Sequence, residues 1–473
     1  ALMILFLYGP PASGRTTLGQ ILAEKTNSRF IDLDAVIEAK AGMPISEIFA
    51  SSGEAAFREM ESASLLETIA QLQRDCESCV VSLGGGTLLR QENRLSCEKA
   101  GDIFCIDTPS EEELTRRITK LPESRPLGNK AVERAAHYAA FPNRVAAFFE
   151  AQQSLVIVGK GIASPFLREG NIVSDANVSR LWGERLNVKP FVEIPSGEEN
   201  KSIGTVVELW RAFAKKGLGR KDRVVALGGG VTGDLTGFAA ATWMRGIKWI
   251  NIPTTLLSMV DASTGGKTGC DLAEGKNLAG AFHFPELVVA DVDFLETLSS
   301  EILADGMAEF IKHEIIGGRS ENCGLFRKGF VPSAKQIAEN LMVKVSIVRE
   351  DPFETKNRRM LLNCGHTVAH AVEKLSKYSI PHGEAVAIGC CEEARIAVRR
   401  SLSPQSWAEE VESVFSAAGL PVELPCGMGK AAIVEEMRGD KKRSGDIVAF
   451  ALPCGWGDVR IVPIDLTKED IWQ

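Results

Sequence analysis

The stretch VALGGGVTGD, residues 225–234, passes from an apolar run into a run of glycines. The apolar run predicts a buried strand, and the segment after the glycines predicts the start of a helix. Glycines let backbone N–H groups come close to a diphosphate at a helix N-terminus, although the spacing here is not GxGxxG. The stretch therefore predicts a dinucleotide-binding turn in an α/β fold.

Apolar runs that predict further strands lie on both sides of this turn. Helical segments alternate with them, which is the pattern of a parallel sheet covered by helices. From about Glu301 to Phe415 the spacing of apolar residues is helical instead. The strands predicted around the turn are residues 155–158, 172–174, 191–194, 223–226, 249–252 and 287–291.

A second glycine loop, GPPASGRTT, lies at residues 9–17. It follows a predicted strand at 3–8 and opens a predicted helix at 16–26, which is the context of a phosphate-binding P-loop. Thr16 stands where the hydroxyl ligand to Mg²⁺ belongs, and Arg15 replaces the usual lysine. The residues predicted to bind the nucleotide phosphates are Gly9, Gly14, Arg15, Thr16 and Thr17.

The alternation of strands and helices continues through the first 150 residues, with predicted strands at 29–32, 79–83 and 102–107. We therefore predict an α/β chain of three domains. They are a P-loop kinase-type parallel-sheet domain at 1–150, a Rossmann-like NAD-binding α/β domain at 151–297, and an all-helical metal- and substrate-binding domain at 298–473.

Polar residues follow the strands of the predicted first domain. Asp32 is suited to the Mg²⁺ shell, and Asp34 is suited to accept a hydrogen bond, or a proton, from a polyol. Arg58 supplies a cation from a helix, and the glycines at 84–86 permit close approach of a substrate. Arg125 lies in a polar segment where a lid over ATP is expected.

In this order, the P-loop, FIDLD, GExxFRxxE, LGGGT and RPL resemble the shikimate kinase family over residues 1–150. The resemblance implies that ATP–Mg binds at the P-loop and that Arg125 caps the nucleotide. A second substrate arginine is either Arg134, which has the family's tyrosine four residues on, or Arg144, whose spacing from Arg125 is better and which we favour. The shikimate-binding residues so implied are Asp34, Arg58, Gly84, Gly85, Gly86 and Arg144.

The six histidines are few enough for their spacing to be informative. His366 and His370 share one helix face, and by spacing alone they form the natural metal pair. Glu309 and Lys312 lie one turn apart on another predicted helix, and His382 follows a proline. Two histidines and one carboxylate make a three-ligand open site suited to a catalytic divalent ion.

Three further motifs, GGGVxGDxxGFxAAxxxRG, IPTTLLxxVDxSxGGKxG and GKNLxGAFHxP, resemble the 3-dehydroquinate synthase family over about 154–473. The resemblance implies NAD as cofactor, a Zn or Co ion held by Glu309, His366 and His382, and proton transfer by His370. Asp175 would bind the ribose of NAD, although an aspartate there can also cap a helix.

The residues implied for NAD binding are Asp175, Asn177, Glu198, Lys201, Gly229, Gly230, Val231, Asp234, Thr254, Thr255, Asp261, Lys276, Asn277 and Thr297. The implied catalytic set is Lys267, Lys312, Arg359, Asn363 and His370. The implied substrate-binding cations are Arg245, Lys267, Lys312, Lys344, Arg359 and Lys441. Arg358 keeps the family spacing in one direction and Arg359 in the other, and we favour Arg359.

The implied chemistry acts on a heptulosonate phosphate. NAD⁺ takes a hydride, phosphate is eliminated, the hydride returns, and ring opening with an intramolecular aldol step closes a carbocycle without net oxidation. Such a multiply charged substrate accounts for the cluster of cations. Two alternatives remain: an NAD- and metal-dependent polyol dehydrogenase, and a kinase-like first domain that is weak or regulatory.

Composition narrows the class of partner. A formal net charge of −8 over 473 residues argues against a nucleic-acid or anionic-membrane partner. The apolar N-terminal stretch is too short to span a bilayer, and eleven scattered cysteines fit a reducing compartment. We therefore expect a cytoplasmic enzyme of small molecules. We also expect a homodimer formed through the synthase part.

Overall fold

The computed structural model describes residues 3–106, 134–168, 170–439, 447–467 and 471–472. The chain divides into two compact units, one of residues 1–170 with 286–291 and one of residues 171–285 with 292–473. The domain boundaries expected at residues 150 and 297 stay a prediction. No helix among the described residues is long and apolar enough to cross a membrane.

The first unit is built on a sheet with strand order β2-β3-β1-β4-β5-β6-β13. Neighbouring strands run parallel except β5 and β6, which form an antiparallel pair. The strands are β1 (Ile4–Tyr8), β2 (Arg29–Asp32), β3 (Cys79–Ser82), β4 (Asp102–Ile106), β5 (Arg144–Phe149), β6 (Ser154–Gly159) and β13 (Leu287–Asp291).

Buried apolar strands explain this sheet. Every residue of β1 and β3 is buried, as expected of parallel strands that are covered on both faces. The helices of the unit are α1 (Arg15–Lys25), α2 (Leu33–Ala41), α3 (Ile45–Asp75), α4 (Gln91–Ala100) and α5 (Ala135–Ala139). Because β1 leads into α1 and β2 leads into α2, the predicted phosphate and magnesium residues meet at one edge of the sheet.

The second unit contains a parallel sheet with strand order β10-β9-β7-β8. Two antiparallel hairpins, β11–β12 and β14–β15, lie outside this sheet. The strands are β7 (Ile172–Asp175), β8 (Val192–Ile194), β9 (Arg223–Gly228), β10 (Lys248–Pro253), β11 (Lys267–Leu272), β12 (Gly275–Phe282), β14 (Ile447–Gly455) and β15 (Asp458–Asp465).

Helices make up most of the rest of the second unit. Apolar residues cover one face of several of them, and α12 is buried along most of its length. They are α6 (Ala176–Trp182), α7 (Ile203–Lys216), α8 (Gly230–Thr242), α9 (Ser300–Gly317), α10 (Ala334–Glu350), α11 (His366–Leu375), α12 (His382–Arg399), α13 (Gln405–Ala417) and α14 (Lys430–Gly439).

The predicted helical C-terminal region is present, but it is not entirely helical. The hairpin β14–β15 closes it, with Phe450 and Leu452 buried on one strand. Much of a two-stranded ribbon stays exposed, so its apolar residues form only a short run in the sequence. Such a run is hard to distinguish from the end of a helix. Lys267, one of the predicted substrate cations, begins the first strand of the hairpin β11–β12.

Candidate active sites

The P-loop of the first unit has the geometry of a phosphate cradle. Gly9 and Gly14 have φ angles of 155° and 86°, which only glycine adopts without strain. Thr16 Oγ1 donates a 2.8 Å hydrogen bond to Asp32 Oδ2, so the two predicted magnesium ligands are neighbours. Ser13 Oγ is buried in the loop and has no hydrogen-bond partner among the described residues. These features fit a bound Mg–nucleotide.

Arg15 does not project from the loop as the usual lysine would. Its side chain is buried, and Nη1 donates to the carbonyl oxygen of Leu83 in a close contact. Leu83 directly follows β3 and precedes the glycines at 84–86. The guanidinium is therefore held by the protein's own backbone, next to the predicted polyol site.

The glycines at 84–86 leave space that three polar side chains fill. A Cβ on Gly84 would lie 2.7 Å from Glu61 Oε1 and 3.2 Å from Asp34 Oδ1. A Cβ on Gly86 would lie 2.5 Å from Arg58 Nη2. The structure thus brings the predicted residues Asp34, Arg58 and the glycines into one pocket.

Glu61 organises this pocket, although its role was not predicted. Its carboxylate is buried and accepts hydrogen bonds from Arg58 Nη1 at 2.6 Å and from Thr87 Oγ1 at 2.7 Å. The spacing in GExxFRxxE, which puts Arg58 and Glu61 one helical turn apart, is the signal that could have revealed this pair.

The structure shows the surroundings of both candidate arginines, Arg134 and Arg144. Arg144 begins β5 and is buried, and its guanidinium donates to the carbonyl oxygens of Tyr138 and Ala139 at 3.1 and 2.8 Å. These contacts hold the Arg144 guanidinium against the backbone of α5, and its role as a substrate ligand stays a prediction. Arg134 is only half buried and lies close enough to Tyr138 to influence the pKa of its hydroxyl. Arg125 and Lys441 lie outside the described residues.

The dinucleotide turn of the second unit starts α8 directly after β9. Asp175 Oδ1 accepts from the N–H groups of Asn177 and Val178 at 3.0 Å, so it caps α6, and Oδ2 accepts from Thr232 Oγ1 at 3.2 Å. Asp175 therefore acts as a helix cap, as the alternative interpretation held, and it also lies beside the predicted cofactor turn.

Lys201 connects several of the predicted cofactor residues. Its buried ammonium lies 2.8 Å from Asp234 Oδ2 and donates to Asn277 Oδ1 at 2.7 Å, with Glu198 at 3.8 Å. Burial acts to lower the pKa of Lys201, but the carboxylates of Asp234 and Glu198 raise it above its usual value. Thr254 and Thr255, two more of the residues predicted to bind NAD, directly follow β10 in the same parallel sheet.

Thr297 and Arg245 are two further residues predicted to belong to this site. Thr297 Oγ1 accepts a hydrogen bond from Trp182 Nε1 at 2.9 Å. Arg245 is exposed and follows the C-terminal end of α8, whereas the glycine turn is at the N-terminal end of that helix. The role of Arg245 as a substrate cation stays a prediction.

The predicted metal ligands converge. Glu309 Oε1 lies 3.3 Å from His366 Nε2 and 3.4 Å from His382 Nε2, and the three ligand atoms lie within 4.8 Å of one another. Ligands about 2.0–2.1 Å from a tetrahedral Zn²⁺ are separated by about 3.3 Å. One carboxylate and two imidazoles at this spacing fit a Zn²⁺ or Co²⁺ ion. His370, by contrast, is exposed, with its ring 5.4 Å from that of His366.

The environment keeps these ligands in the form that a metal needs. Burial acts to raise the pKa of Glu309, but Lys312 and His366 hold it well below its usual range. Burial and Lys312 lower the pKa of His366, which favours its neutral form. His366 Nδ1 lies 3.1 Å from the carbonyl oxygen of Cys364, to which it can donate its proton. The lone pair of Nε2 is then available to bind a metal.

A second group of possible ligands, Asp261, Glu309 and His313, lies beside the first. Lys344 Nζ donates to Asp261 Oδ1 at 2.8 Å, and Lys312 Nζ is in close contact with Glu309 Oε2. Asp261, the carboxylate that this group does not share with the first, is already neutralised by Lys344, so the second group adds little attraction for a further cation.

Two of the predicted substrate cations, Lys312 and Lys344, contact the possible metal ligands Glu309 and Asp261. Lys312 Nζ also donates to the carbonyl oxygen of Leu362 at 2.8 Å, and Asn363 is the next residue. Arg359 is buried and donates to the carbonyl oxygens of Gly265 and Pro352 at 3.1 and 3.0 Å. Arg358 is instead exposed and pairs with Glu350 at 2.7 Å. This arrangement favours Arg359 as the substrate residue.

Glu354 connects two of these cations. Its carboxylate is in close contact with Lys267 and lies 3.6 Å from Arg359 Nε. Its φ angle of 56° turns the loop so that the carboxylate faces both. This pair of cations is already arranged around an anion, as it would be around a phosphate or carboxylate of a substrate.

Comparison with known proteins identifies the families of both parts of the chain. The family model for shikimate kinase matches residues 11–163, and those for the N-terminal and C-terminal parts of 3-dehydroquinate synthase match residues 191–305 and 306–443. The 3-dehydroquinate synthase of a Synechococcus species is 40% identical over 343 residues, which are 68% of this chain and 93% of that protein. The enzyme of that name from Symbiobacterium thermophilum is 39% identical and aligns over 63% of this chain and 88% of its own.

Two solved structures of synthases are also similar to this chain. A 2-deoxy-scyllo-inosose synthase in complex with carbaglucose-6-phosphate, NAD⁺ and Co²⁺ is 27% identical, with a TM-score of 0.60 over 67% of this chain and 96% of its own. The 2-epi-5-epi-valiolone synthase of Streptomyces hygroscopicus subsp. jinggangensis, with NAD⁺ and Zn²⁺ bound, is 28% identical, with a TM-score of 0.60 over 66% and 94%.

The fold and the site place residues 171–473 among the synthases of this α/β-plus-helical build. The chain belongs to the 3-dehydroquinate synthase family, and a shikimate kinase domain precedes the synthase part. The predicted pair of families, and the overall α/β class, are thereby confirmed.

Proposed function

We propose that this chain is a bifunctional enzyme of the shikimate pathway. Its synthase part converts 3-deoxy-D-arabino-heptulosonate 7-phosphate into 3-dehydroquinate and phosphate, and its kinase part transfers a phosphoryl group from ATP to shikimate. The observation that carries the synthase assignment is the tetrahedral spacing of Glu309, His366 and His382 beside a cluster of buried cations. The 40% identity to a 3-dehydroquinate synthase supports the choice of substrate.

The residues of the synthase part would hold two cofactors. Glu309, His366 and His382 would bind Zn²⁺ or Co²⁺, and the turn at 228–230 with Lys201 and Asp175 would bind NAD. When bound, the metal polarises the oxygens of the substrate and NAD⁺ accepts and returns a hydride.

The chain's own residues position the substrate and move its protons. Lys312, Lys344 and Arg359 hold the anionic groups of the substrate, and their burial strengthens each contact because water competes less. Lys267 adds a cation at the edge of the site, where Glu354 now pairs with it. His370, exposed one turn beyond His366, transfers protons at its imidazole nitrogens during elimination of phosphate.

In the kinase part, Thr16 and Asp32 would hold Mg²⁺ and the glycines of the P-loop would hold the phosphates. Asp34 accepts the proton of the reacting hydroxyl of shikimate, and Arg58 binds the shikimate carboxylate with Glu61 orienting it. The contact of Arg15 with Leu83 supports an alternative for this part alone, a weak or regulatory kinase, because the P-loop cation is already engaged.

We propose further that the enzyme is a homodimer through its synthase part and is cytoplasmic. Exposed apolar side chains on β12, Leu278 and Phe282, support a protein–protein contact on that part. All eleven cysteines are free, which supports a reducing compartment. Light scattering of the purified chain tests the dimer.

A pair of assays on the purified chain tests the proposal. With heptulosonate phosphate, NAD⁺ and Zn²⁺ or Co²⁺, we expect release of phosphate without accumulation of NADH. With shikimate and MgATP, we expect formation of ADP. Accumulation of NADH without phosphate release would instead identify a polyol dehydrogenase, and phosphate release without ADP formation would identify the weak or regulatory kinase.

A further inference from the structure

Glu373 is a buried carboxylate that links two parts of the synthase site. It lies on α11, the helix that also carries His366 and His370. Its Oε1 is 3.4 Å from His382 Nδ1 and 3.4 Å from Lys276 Nζ. One oxygen atom therefore faces both a proposed metal ligand and a proposed NAD residue.

The contact with His382 fixes how that imidazole is presented. His382 Nε2 faces Glu309 Oε1, so the nitrogen on the other side of the ring is the one next to Glu373. A carboxylate that accepts the Nδ1 proton leaves the lone pair on Nε2 and makes that nitrogen a stronger donor to a metal. His366 has only a neutral carbonyl, that of Cys364, in the corresponding position. The two imidazoles are therefore oriented by partners of different charge.

The contact with Lys276 brings in the hairpin β11–β12. Lys276 lies near the start of β12, and its ammonium is 4.3 Å from the ring centroid of Tyr378, which follows α11. Lys276 thus shares the carboxylate of Glu373 with His382 and competes with it for the same oxygen. A bound anion such as the diphosphate of NAD would attract this ammonium, and it would leave Glu373 more fully to His382.

We propose that Glu373 is a positioning residue that couples NAD binding to metal binding through Lys276 and His382. The inference rests on the proposed function, since it requires that His382 binds the metal and Lys276 the cofactor. Binding of NAD strengthens the donor character of His382 and tightens the metal, and by thermodynamic reciprocity the metal tightens NAD by the same factor. The coupling needs only the movement of one lysine side chain that is already near the surface.

The test measures metal affinity by competition with a chromophoric chelator, with and without NAD⁺. For the unaltered chain we expect NAD⁺ to tighten Co²⁺ binding by at least about fivefold, the lower range for coupled sites. Glu373→Gln keeps the shape but not the charge. It should weaken Co²⁺ binding about 10–100-fold, as loss of an outer partner of a metal-bound histidine does, and should reduce the effect of NAD⁺ to near one.

Two further variants keep the test decisive. Lys276→Met leaves Glu373 to His382, so its Co²⁺ affinity should equal or exceed that of the unaltered chain while the response to NAD⁺ is lost. Glu436→Gln removes the α14 partner of Lys374, an exposed residue next to Glu373 on α11, and should change neither quantity. The d–d absorption of bound Co²⁺ should shift in Glu373→Gln and not in Glu436→Gln, because only the first alters a ligand's partner.

Independent binding of metal and NAD⁺ by the unaltered chain would overturn the inference while leaving the proposed function intact. Glu373→Gln with unchanged Co²⁺ affinity would overturn it as well. If the unaltered chain bound neither Co²⁺ nor NAD⁺, the proposed function and the inference would both fail.

Discussion

His366 Nε2 lies 3.3 Å from Glu309 Oε1, although the two residues belong to separate helices, α11 and α9. No local interaction sets this distance. Lys312 neutralises Glu309 from the next turn of α9, and Cys364 orients the His366 ring through its carbonyl oxygen. The pair is thus arranged to share a cation. Loss of either residue should reduce the synthase activity and leave the kinase activity.

Removal of either metal ligand should separate the two activities. Glu309→Gln or His366→Ala should reduce synthase turnover by more than about 100-fold, because loss of even an outer partner of a ligand costs 10–100-fold. The kinase activity should persist, since its proposed residues all lie in the first unit. Parallel assays of phosphate release and ADP formation on each variant check this. Synthase turnover that survived in both variants would contradict the ligand assignment.

The two neighbouring arginines offer a matched pair of variants. Arg359→Gln should raise KM for the phosphorylated substrate about 10–100-fold, because a charge-assisted hydrogen bond to a charged group contributes roughly 1.5–3 kcal/mol. Arg358→Gln removes only an exposed ion pair with Glu350 and should leave KM within about twofold. Steady-state kinetics on the two variants decides between them, and the reverse order of effects would mean that Arg358 is the substrate residue.

Arg15 should lower the rate of the kinase reaction compared with a lysine at the same position. Its guanidinium is engaged by Leu83, so Arg15→Lys should leave the kinase rate unchanged or raise it, as a shorter headgroup can turn toward the phosphates. ADP formation at saturating shikimate measures this, with synthase turnover as the internal control. A complete loss of kinase activity would show that the loop is built around arginine.

The buried Glu393 should make the stability of the second unit fall with rising pH. Burial raises the pKa of Glu393 to about 8, against the opposing effect of three N–H donors at Gly365, Thr367 and Val368. The folded chain therefore keeps a proton that the unfolded chain releases at about pH 4.5. The stability from this group is fully present below that pH and is lost as the pH rises through 8, a change of a few kcal/mol at most, of the order implied by the shift.

Glu393→Gln has no such proton to lose. Between pH 5 and 8, the Tm of the unaltered chain should fall relative to that of the variant, with both freed of metal by EDTA so that metal release does not contribute. Parallel Tm curves for the two proteins over this range would contradict the account.

The sequence predicted those features that local pattern or a dense motif encodes. Strands such as β1 and β3 are continuous apolar runs, and the P-loop and the histidine motifs have fixed spacing. The antiparallel hairpins were not predicted, because strands such as β12 and β15 are largely exposed and carry little apolar signal. β5 is almost entirely buried, but its charged first residue, Arg144, and its two alanines gave a weak strand signal. The contacts of Arg144 with Tyr138 and Ala139 depend on how β5 begins.

Side chains that act through other residues were the hardest to predict. Glu373 lies on the same helix face as His366 and His370, so helical spacing could have suggested it. Glu393 offers no such signal, since it faces the start of α11 from a different helix, α12. Contacts of this kind depend on tertiary packing and are visible only in three dimensions.

Titration of the metal-free chain with Co²⁺ tests the central claim most directly. We expect one ion per chain with the visible d–d absorption of a four- or five-coordinate site, and loss of that absorption in Glu309→Gln, His366→Ala and His382→Ala alike. Binding of one ion with an unchanged spectrum in any of the three variants would show that these residues do not share a metal, and the synthase assignment would then lose its physical basis.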